Sequence, residues 1–600
     1  MKKYILAFFV LSIVVIQGQL SSCNGKHTVE ESGEARIKKF YNQQTDSLIH
    51  LLAAFENASL NSPTQHLQLL FAKCRFAYKK IEGIAEYYFQ GLTKRINGPA
   101  LPDIKTEDGQ VWPPHGFQVI EQMLFSNYNA AQRESLLTEV NLLKTDLLFM
   151  RSNMEFNTIN ENHVAEMLQH QFIRVAILGI TGFDAPLSKL SLQEAGYSLQ
   201  GIEQIAGLFY GENKSRSILR AEDYLKVHTD FDGFDRMDFI TSYLMPASDL
   251  YAKLGNANEL QDTMMVKPFT GTLGTLMKGN GFNADYYASY AIATTNDAKI
   301  ALGRKLFFDA RLSKSTTISC ASCHKPDLYF TDGRRQANNF IHGGNLPRNT
   351  PTLYYAALQA NQFYDARSTT LEDQIFEVMK NTNEFNFSSA GIAKKLMTDS
   401  TYETLFKNAF SNVEVGTAGF EVRNAIAAYV RSLSPFSSAF DEYMQGNRKA
   451  MNSEEINGFN LFAGKAKCGS CHFMPLFNGN IPPWFNKSES EIIGVPAKPI
   501  WKNAAIDLDS GRYYLNKMKE LMFAFKTPTI RNIDKTSPYM HNGVYNRLED
   551  VVEFYHKGGG VGIGIDLPFQ SLPFDSLSLS ITEKKNIVAF MKTLTDKKIR

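Results

Sequence analysis

Six cysteines occur in the chain, and four of them stand in two copies of one pattern, Cys320-Ala-Ser-Cys323-His324 and Cys468-Gly-Ser-Cys471-His472. C-x-x-C-H is the spacing at which proteins attach haem covalently. Two thiols so placed each add to one vinyl group of a single porphyrin, and the histidine that follows is positioned to ligate the iron. A structural zinc site needs its Cys-x-x-Cys pairs close enough to share one metal. Here the pairs are far apart in sequence and each has its own histidine. A disulfide reading leaves both histidines unexplained. Two covalent haems are therefore expected, one on Cys320, Cys323 and His324, the other on Cys468, Cys471 and His472. Cys74 is left over and is expected to be an ordinary buried helix residue.

These motifs need a scaffold, and the pattern of apolar residues predicts one that is mainly α. From about Glu34 to Ala252 apolar residues recur at three- and four-residue spacing, as in Ile37, Phe40, Tyr41, Leu48, Leu51, Leu52 and Phe55. Residues 71–89, 137–150, 164–178 and 190–209 read the same way, which predicts an N-terminal helical bundle over 35–255. Glycines punctuate 256–282, read as a linker. Beyond it, short helices and many loops surround one haem motif in each half. The expected result is two cytochrome c-like haem domains, 283–445 and 446–600, loop-rich because a porphyrin supplies much of such a core.

The ends and the charge narrow the setting. Met1-Lys2-Lys3 precedes an apolar run over 4–16, a charged start and a short hydrophobic stretch of signal-peptide type. Leu20-Ser21-Ser22-Cys23 resembles a bacterial lipobox, so residues 1–22 are expected to be removed and Cys23 acylated. That places the chain in the envelope or periplasm of a Gram-negative-type bacterium, held by a lipid anchor. With 63 Lys+Arg against 61 Asp+Glu, the balance gives no reason to expect a nucleic-acid partner.

Further motifs flank each haem site. Leu302-Gly303-Arg304-Lys305-Leu306-Phe307-Phe308-Asp309 and Arg311-Leu312-Ser313 lead into the first, with Arg348-Asn349-Thr350-Pro351-Thr352 and Phe363-Tyr364-Asp365-Ala366-Arg367 after it. Gly458-Phe459-Asn460-Leu461-Phe462 leads into the second. Lys526-Thr527-Pro528-Thr529-Ile530-Arg531-Asn532 and Thr536-Ser537-Pro538-Tyr539-Met540-His541-Asn542-Gly543 follow it. Over about 283–594 the sequence resembles the bacterial di-haem cytochrome c peroxidases, a family that includes MauG.

The resemblance implies roles. His324 is the proximal ligand of the peroxidatic haem, with Gln374 and Glu384, ten and twenty residues after Tyr364, as its acid–base pair. Tyr364 stands where the family commonly has a tryptophan between the haems. His342 is either a distal ligand, as some members have, or a loop histidine. His472 is proximal on the second haem. Fourteen residues after His541 comes Tyr555, where many members have Met and MauG-like members a Tyr. A phenolate stabilises ferric iron, whereas Met raises the potential. His556 competes for that place, while Met518 and Met522 read as helix packing. A calcium ion between the haems would take the side chain of Asn349 and carbonyls of Thr536 and Pro538, oxygen donors that suit a hard cation.

In the first half, Gly116-Phe117-Gln118-Val119-Ile120-Glu121 and Thr181-Gly182-Phe183-Asp184-Ala185-Pro186 are similar to the G-x-H-x-x-E and T-G-F-D-x-P stretches of imelysin-like helical domains. Gln118 replaces the histidine of that pattern, and an amide is a poor transition-metal ligand. A binding or docking domain is expected.

Three activities follow from the sequence. The first is reduction of hydrogen peroxide with electrons from a small cytochrome c or similar donor. The second is MauG-like oxidation of a partner protein's side chains, and the third is plain electron carriage. A homodimer is one assembly open to it.

Overall fold

The computed structural model describes residues 31–211, 216–254, 266–288, 293–410, 419–573 and 575–598. The expected leader, Cys23 and residues 256–265 of the expected linker lie outside them.

The first half is a bundle of long helices: α1 (Gly33–Ser59), α2 (Thr64–Tyr88), α3 (Arg133–Asn153), α4 (Glu161–Arg174) and α5 (Ser191–Tyr210). Ser32 caps α1 by accepting from the backbone N–H of Ala35, and Ile37, Tyr41, Leu48, Leu52 and Phe55 form its buried stripe. The other helices turn the same kind of stripe inward, and Cys74 is buried on α2 with its thiol pushed up to about 12 by desolvation. After α4 the chain widens into a π-turn over Val175–Gly179, which delivers the Thr181-Gly182-Phe183-Asp184 segment to the bundle interior. Residues 266–282 of the expected linker are packed. Leu273, Leu276 and Met277 are fully buried, because apolar side chains between the glycines hold the segment against the bundle.

The second half holds two units built alike. In the first, α6 (Asp297–Phe308) crosses α8 (Gly419–Arg431), with α7 (Leu371–Lys380) packed beside them. In the second, α9 (Ser453–Phe462) crosses α11 (Ile581–Thr593), with α10 (Leu548–His556) alongside. Both crossings depend on glycine. A Cβ on Gly303 would lie 1.8 Å from the carbonyl oxygen of Ala425, and one on Gly458 would lie 1.9 Å from that of Asn586. Among the described residues, sheet is confined to two short antiparallel ladders, β1 (Asp103–Lys105) with β2 (Gln110–Trp112) and β3 (Ser490–Glu491) with β4 (Phe525–Lys526). The protein is thus mainly α, a helical bundle followed by two cytochrome c-like units.

Buried polar groups tie the parts together. Arg531 makes a two-pronged ion pair with Asp441, Nη2 to Oδ1 at 2.7 Å and Nη1 to Oδ2 at 2.9 Å. Tyr355 of the first unit donates to Asp596 of the last segment at 2.8 Å. Across the bundle junction, Asn460 accepts from the backbone N–H of Met237 and donates to Asp235, while Phe183 packs edge-on against Phe473. Among the described residues no helix is long and apolar enough to cross a membrane.

Candidate functional site: two haem-attachment centres on one cavity

Each C-x-x-C-H motif begins in a short helical turn and delivers its histidine into a loop. Nδ1 of His324 lies 3.0 Å from the carbonyl of Phe330, and Nδ1 of His472 lies 3.1 Å from that of Phe477. A carbonyl can only accept, so Nδ1 carries the proton in both rings and Nε2 is left with the lone pair that binds a metal. Desolvation pushes both imidazoles down, which favours the neutral ligand form. Cys320, Cys323, Cys468 and Cys471 are free thiols. Burial pushes Cys320, Cys323 and Cys468 up to about 12.

The two centres share a second layer that the sequence shows only as a repeated Thr-Pro-Thr. Thr352 Oγ1 donates to the carbonyl of Tyr329 at 2.7 Å, and Thr529 Oγ1 donates to that of Leu476 at 2.7 Å. Each threonine thus fixes the loop residue just before the carbonyl that orients the histidine. Both histidines line one continuous cavity of about 2940 Å³. Unpaired thiols in pairs, a histidine nitrogen reserved in each loop and a cavity of this size fit two covalent haems.

The cavity also collects most of the predicted site residues. Gln374, Glu384, Tyr364, Asn349, Thr536, Pro538 and Tyr555 all line it. Gln374 is on α7, which Thr370 caps and which is anchored from below. Glu372, fully buried, pairs with Arg431 on α8 at 2.7 Å and accepts from Asn424 at 2.9 Å. After α7 the chain doubles back at Asn381, whose backbone carbonyl accepts from the N–H of Glu384 at 3.0 Å. Asn381 Nδ2 donates to Glu384 Oε2 at 2.6 Å. Burial raises the Glu384 carboxyl above the usual carboxylate range, opposed by the Asn381 bond and by the charge of Arg367.

Tyr364 donates its hydroxyl to Asn349 Oδ1 at 3.3 Å, and Asn349 Nδ2 donates to the carbonyl of Arg334 at 2.7 Å. Tyr555 is half-buried on α10, and burial holds its phenol well above the usual range. His342 is exposed in a turn where its backbone N–H donates to Asn339, and it does not line the cavity. His556, Met518 and Met522 do not line it either.

Sequence reasoning overlooked Lys526 as a site residue. It is buried on the cavity wall with only neutral partners, Gln359 Oε1 at 2.6 Å and the carbonyl of Asn361 at 3.0 Å. Its signal was the motif it opens, read for order and not for chemistry.

In the bundle, Gln118 donates to the carbonyls of Asn97 and Phe183 at 3.3 and 3.0 Å, so it braces backbone. Asp184 is held by Lys79 at 2.7 Å within a buried cluster that includes Arg75, Glu82, Arg174 and Glu194. Among the described residues no group of three or more His, Cys, Asp and Glu is arranged to hold a metal ion.

Comparison with known proteins agrees with this architecture. The profile of the family described as "Di-haem cytochrome c peroxidase" matches residues 297–449. The methylamine utilization protein MauG of Methylorubrum extorquens is 34% identical over 298 residues, covering 49% of this chain and 78% of that protein. The cytochrome-c peroxidase IdrP1 of Pseudomonas sp. (strain SCT) is 30% identical, covering 50% of this chain and 80% of its own. The cytochrome c551 peroxidase of Nitrosomonas europaea is 31% identical, covering 56% and 92%. The chain belongs to the di-haem cytochrome c peroxidase and MauG family, a family of oxidoreductases that carry two c-type haems.

Proposed function

We propose that the chain reduces hydrogen peroxide to water at the His324 centre, with electrons that enter through the His472 centre from a small c-type cytochrome or similar redox protein. The observation that carries this reading is the placement of Glu384 and Gln374 on the wall of the cavity that His324 also lines. A bound haem supplies the iron that receives peroxide and passes on single electrons. Glu384 would take a proton from one peroxide oxygen and return it to the other as the O–O bond breaks. Its burial, which raises the carboxyl above the usual carboxylate range, suits both halves of that transfer. The Gln374 amide orients peroxide beside it, and Arg367 supplies positive charge. His342, exposed in its turn, is not among the residues that line this cavity.

Tyr555 favours a second reading, MauG-like oxidation of a partner protein's side chains. It lines the cavity where His556, Met518 and Met522 do not, together with Cys468 and Cys471 of the second attachment motif. An iron-bound phenolate would keep the second haem ferric and make it a poor electron store. The same overall reading includes export, acylation of Cys23, and a calcium ion on Asn349 and carbonyls of Thr536 and Pro538.

The deciding experiment uses a soluble form that starts after Cys23 and has both haems attached. It is mixed with hydrogen peroxide and a reduced small cytochrome, with and without prior one-electron reduction. Cytochrome oxidation by the fully oxidised protein supports a peroxidase with an open first centre. Turnover only after reduction would restore a distal ligand and implicate His342. Fast peroxide reaction without cytochrome oxidation would move the function to protein oxidation, and Tyr555→Phe would then be expected to change the ferric spectrum.

A further inference from the structure

Where α2 and α4 meet the second haem unit, aromatic rings run in file from the cavity to the surface of the bundle. Trp484 lines the cavity beside Pro482 and Pro483. Its ring centroid is 4.3 Å from that of His170 and 5.8 Å from that of Tyr87. Tyr87 is 5.0 Å from Tyr88. The Tyr88 hydroxyl ends the file in an exposed hydrogen bond to the carbonyl of Thr158, 2.9 Å away.

Packing alone does not account for this choice of residues. The indole N–H of Trp484 is buried without a hydrogen-bond partner, a cost that a phenylalanine would avoid. Tyr87 donates its hydroxyl to Glu166 Oε2 at 2.9 Å. Glu166 is held below the usual carboxylate range, against its own burial, by the Lys267 ammonium paired with its Oε1, since burial leaves the neighbouring His170 ring neutral. Indole and phenol are the protein side chains most easily oxidised by one electron. A phenol gives up that electron readily only when its proton has somewhere to go. Tyr87 has such an acceptor in place.

We propose that Trp484, Tyr87 and Tyr88 form a relay for one-electron oxidising equivalents between the haem cavity and the surface of the helical bundle, with Glu166 as proton acceptor for Tyr87. The inference rests on the peroxidase reading, because hydrogen peroxide is the oxidant. In each passage one electron leaves Tyr87 for Trp484 and continues into the cavity, while the phenolic O–H bond breaks and its proton moves to Glu166 Oε2. An electron from Tyr88 and the proton returned by Glu166 restore Tyr87. Tyr88 releases its own proton to solvent and is restored, with a proton from solvent, by one electron from the small c-type cytochrome or similar redox protein of the peroxidase reading. Two passages, with two further protons from solvent, convert one hydrogen peroxide to two waters. The fused bundle thereby becomes an entry face for reducing equivalents.

The test uses the full chain with both haems attached, mixed with hydrogen peroxide without reductant and frozen within milliseconds for electron paramagnetic resonance. The haem absorption is followed in parallel. A tyrosyl signal is expected in the parent, lost in Tyr87→Phe and delayed in Trp484→Phe. Glu166→Gln keeps a hydrogen-bond acceptor but not a proton acceptor, and it should lose the signal with the bundle intact. A signal of the same size and rate in all three variants, with haems that respond to peroxide, would overturn the relay alone. Haems that do not respond to peroxide would overturn the peroxidase reading and the relay with it.

Discussion

Asn381 holds Glu384 through a 2.6 Å bond from Nδ2 to Oε2, three residues away across the turn that ends α7. The bond favours the ionised carboxylate, while burial favours the neutral acid. Glu384→Gln is expected to lower peroxide turnover about 10²–10⁴-fold, the usual contribution of one acid–base group, with both haem spectra retained. Asn381→Ala should act differently. Without the bond the folded pKa rises further, so the base form appears only at higher pH and the acidic limb of kcat/KM moves upward. A pH profile of the two variants checks both outcomes. A limb that moves downward in Asn381→Ala would contradict the assignment.

The helix crossings of the two haem units make a second prediction. Gly303→Ala and Gly458→Ala each drive a methyl group into a backbone carbonyl, which only separation of the helices can relieve. Each is expected to cost about 3 kcal/mol or more in urea unfolding. Gly207, on α5 with nothing within 4 Å of its added Cβ, is the control. Gly207→Ala should be neutral or stabilising by up to about 1 kcal/mol.

Much of this site was legible because its chemistry is local in sequence. A C-x-x-C-H motif and the Tyr364, Gln374, Glu384 spacing each survive in a short window. The helix stripe of Ile37, Tyr41, Leu48, Leu52 and Phe55 was readable for the same reason. What could not be read depends on contacts between distant segments. The carbonyls of Phe330 and Phe477 have no side-chain signature, and the matching roles of Thr352 and Thr529 emerge only when the loops close. The glycine-marked stretch was read as a linker because its buried stripe, Leu273, Leu276 and Met277, spans a single helical turn, too short a window to stand out among the glycines. The juxtaposition of Trp484 with Tyr87 joins residues from two halves of the chain, which no local pattern records.

Arg531 and Asp441 are both fully buried and share two hydrogen bonds, so each is compensated chiefly by the other's charge, with Asp596 adding to it at Arg531 and neutral hydrogen-bond partners completing both. Arg531→Met should destabilise the protein by about 3–5 kcal/mol, because it strands a buried carboxylate. Replacing both, as Arg531→Met with Asp441→Leu, should recover most of that loss, since the desolvation of both ions disappears together. Denaturant unfolding of the single and double variants measures the difference. A double variant as unstable as the single one would mean that the pair contributes packing that apolar side chains cannot replace.

Glu121 gives the bundle a pH dependence of its own. Its Oε1 accepts from the backbone N–H and the hydroxyl of Ser188 at 2.9 and 2.5 Å, but Oε2 is buried without a partner. Desolvation is the largest influence on the carboxyl and raises it from 4.5 to about 7. The folded chain therefore keeps a proton that the unfolded chain has already released between those two values. Stability contributed by this group is present below about pH 4.5, falls as pH rises through the window, and is lost above about pH 7. The total swing is about 3 kcal/mol. Glu121→Gln keeps an oxygen for both Ser188 donors and removes the titration, so its unfolding free energy should lose that share of the decline between pH 5 and pH 8. If parent and variant decline in parallel across that range, Glu121 is not the titrating group.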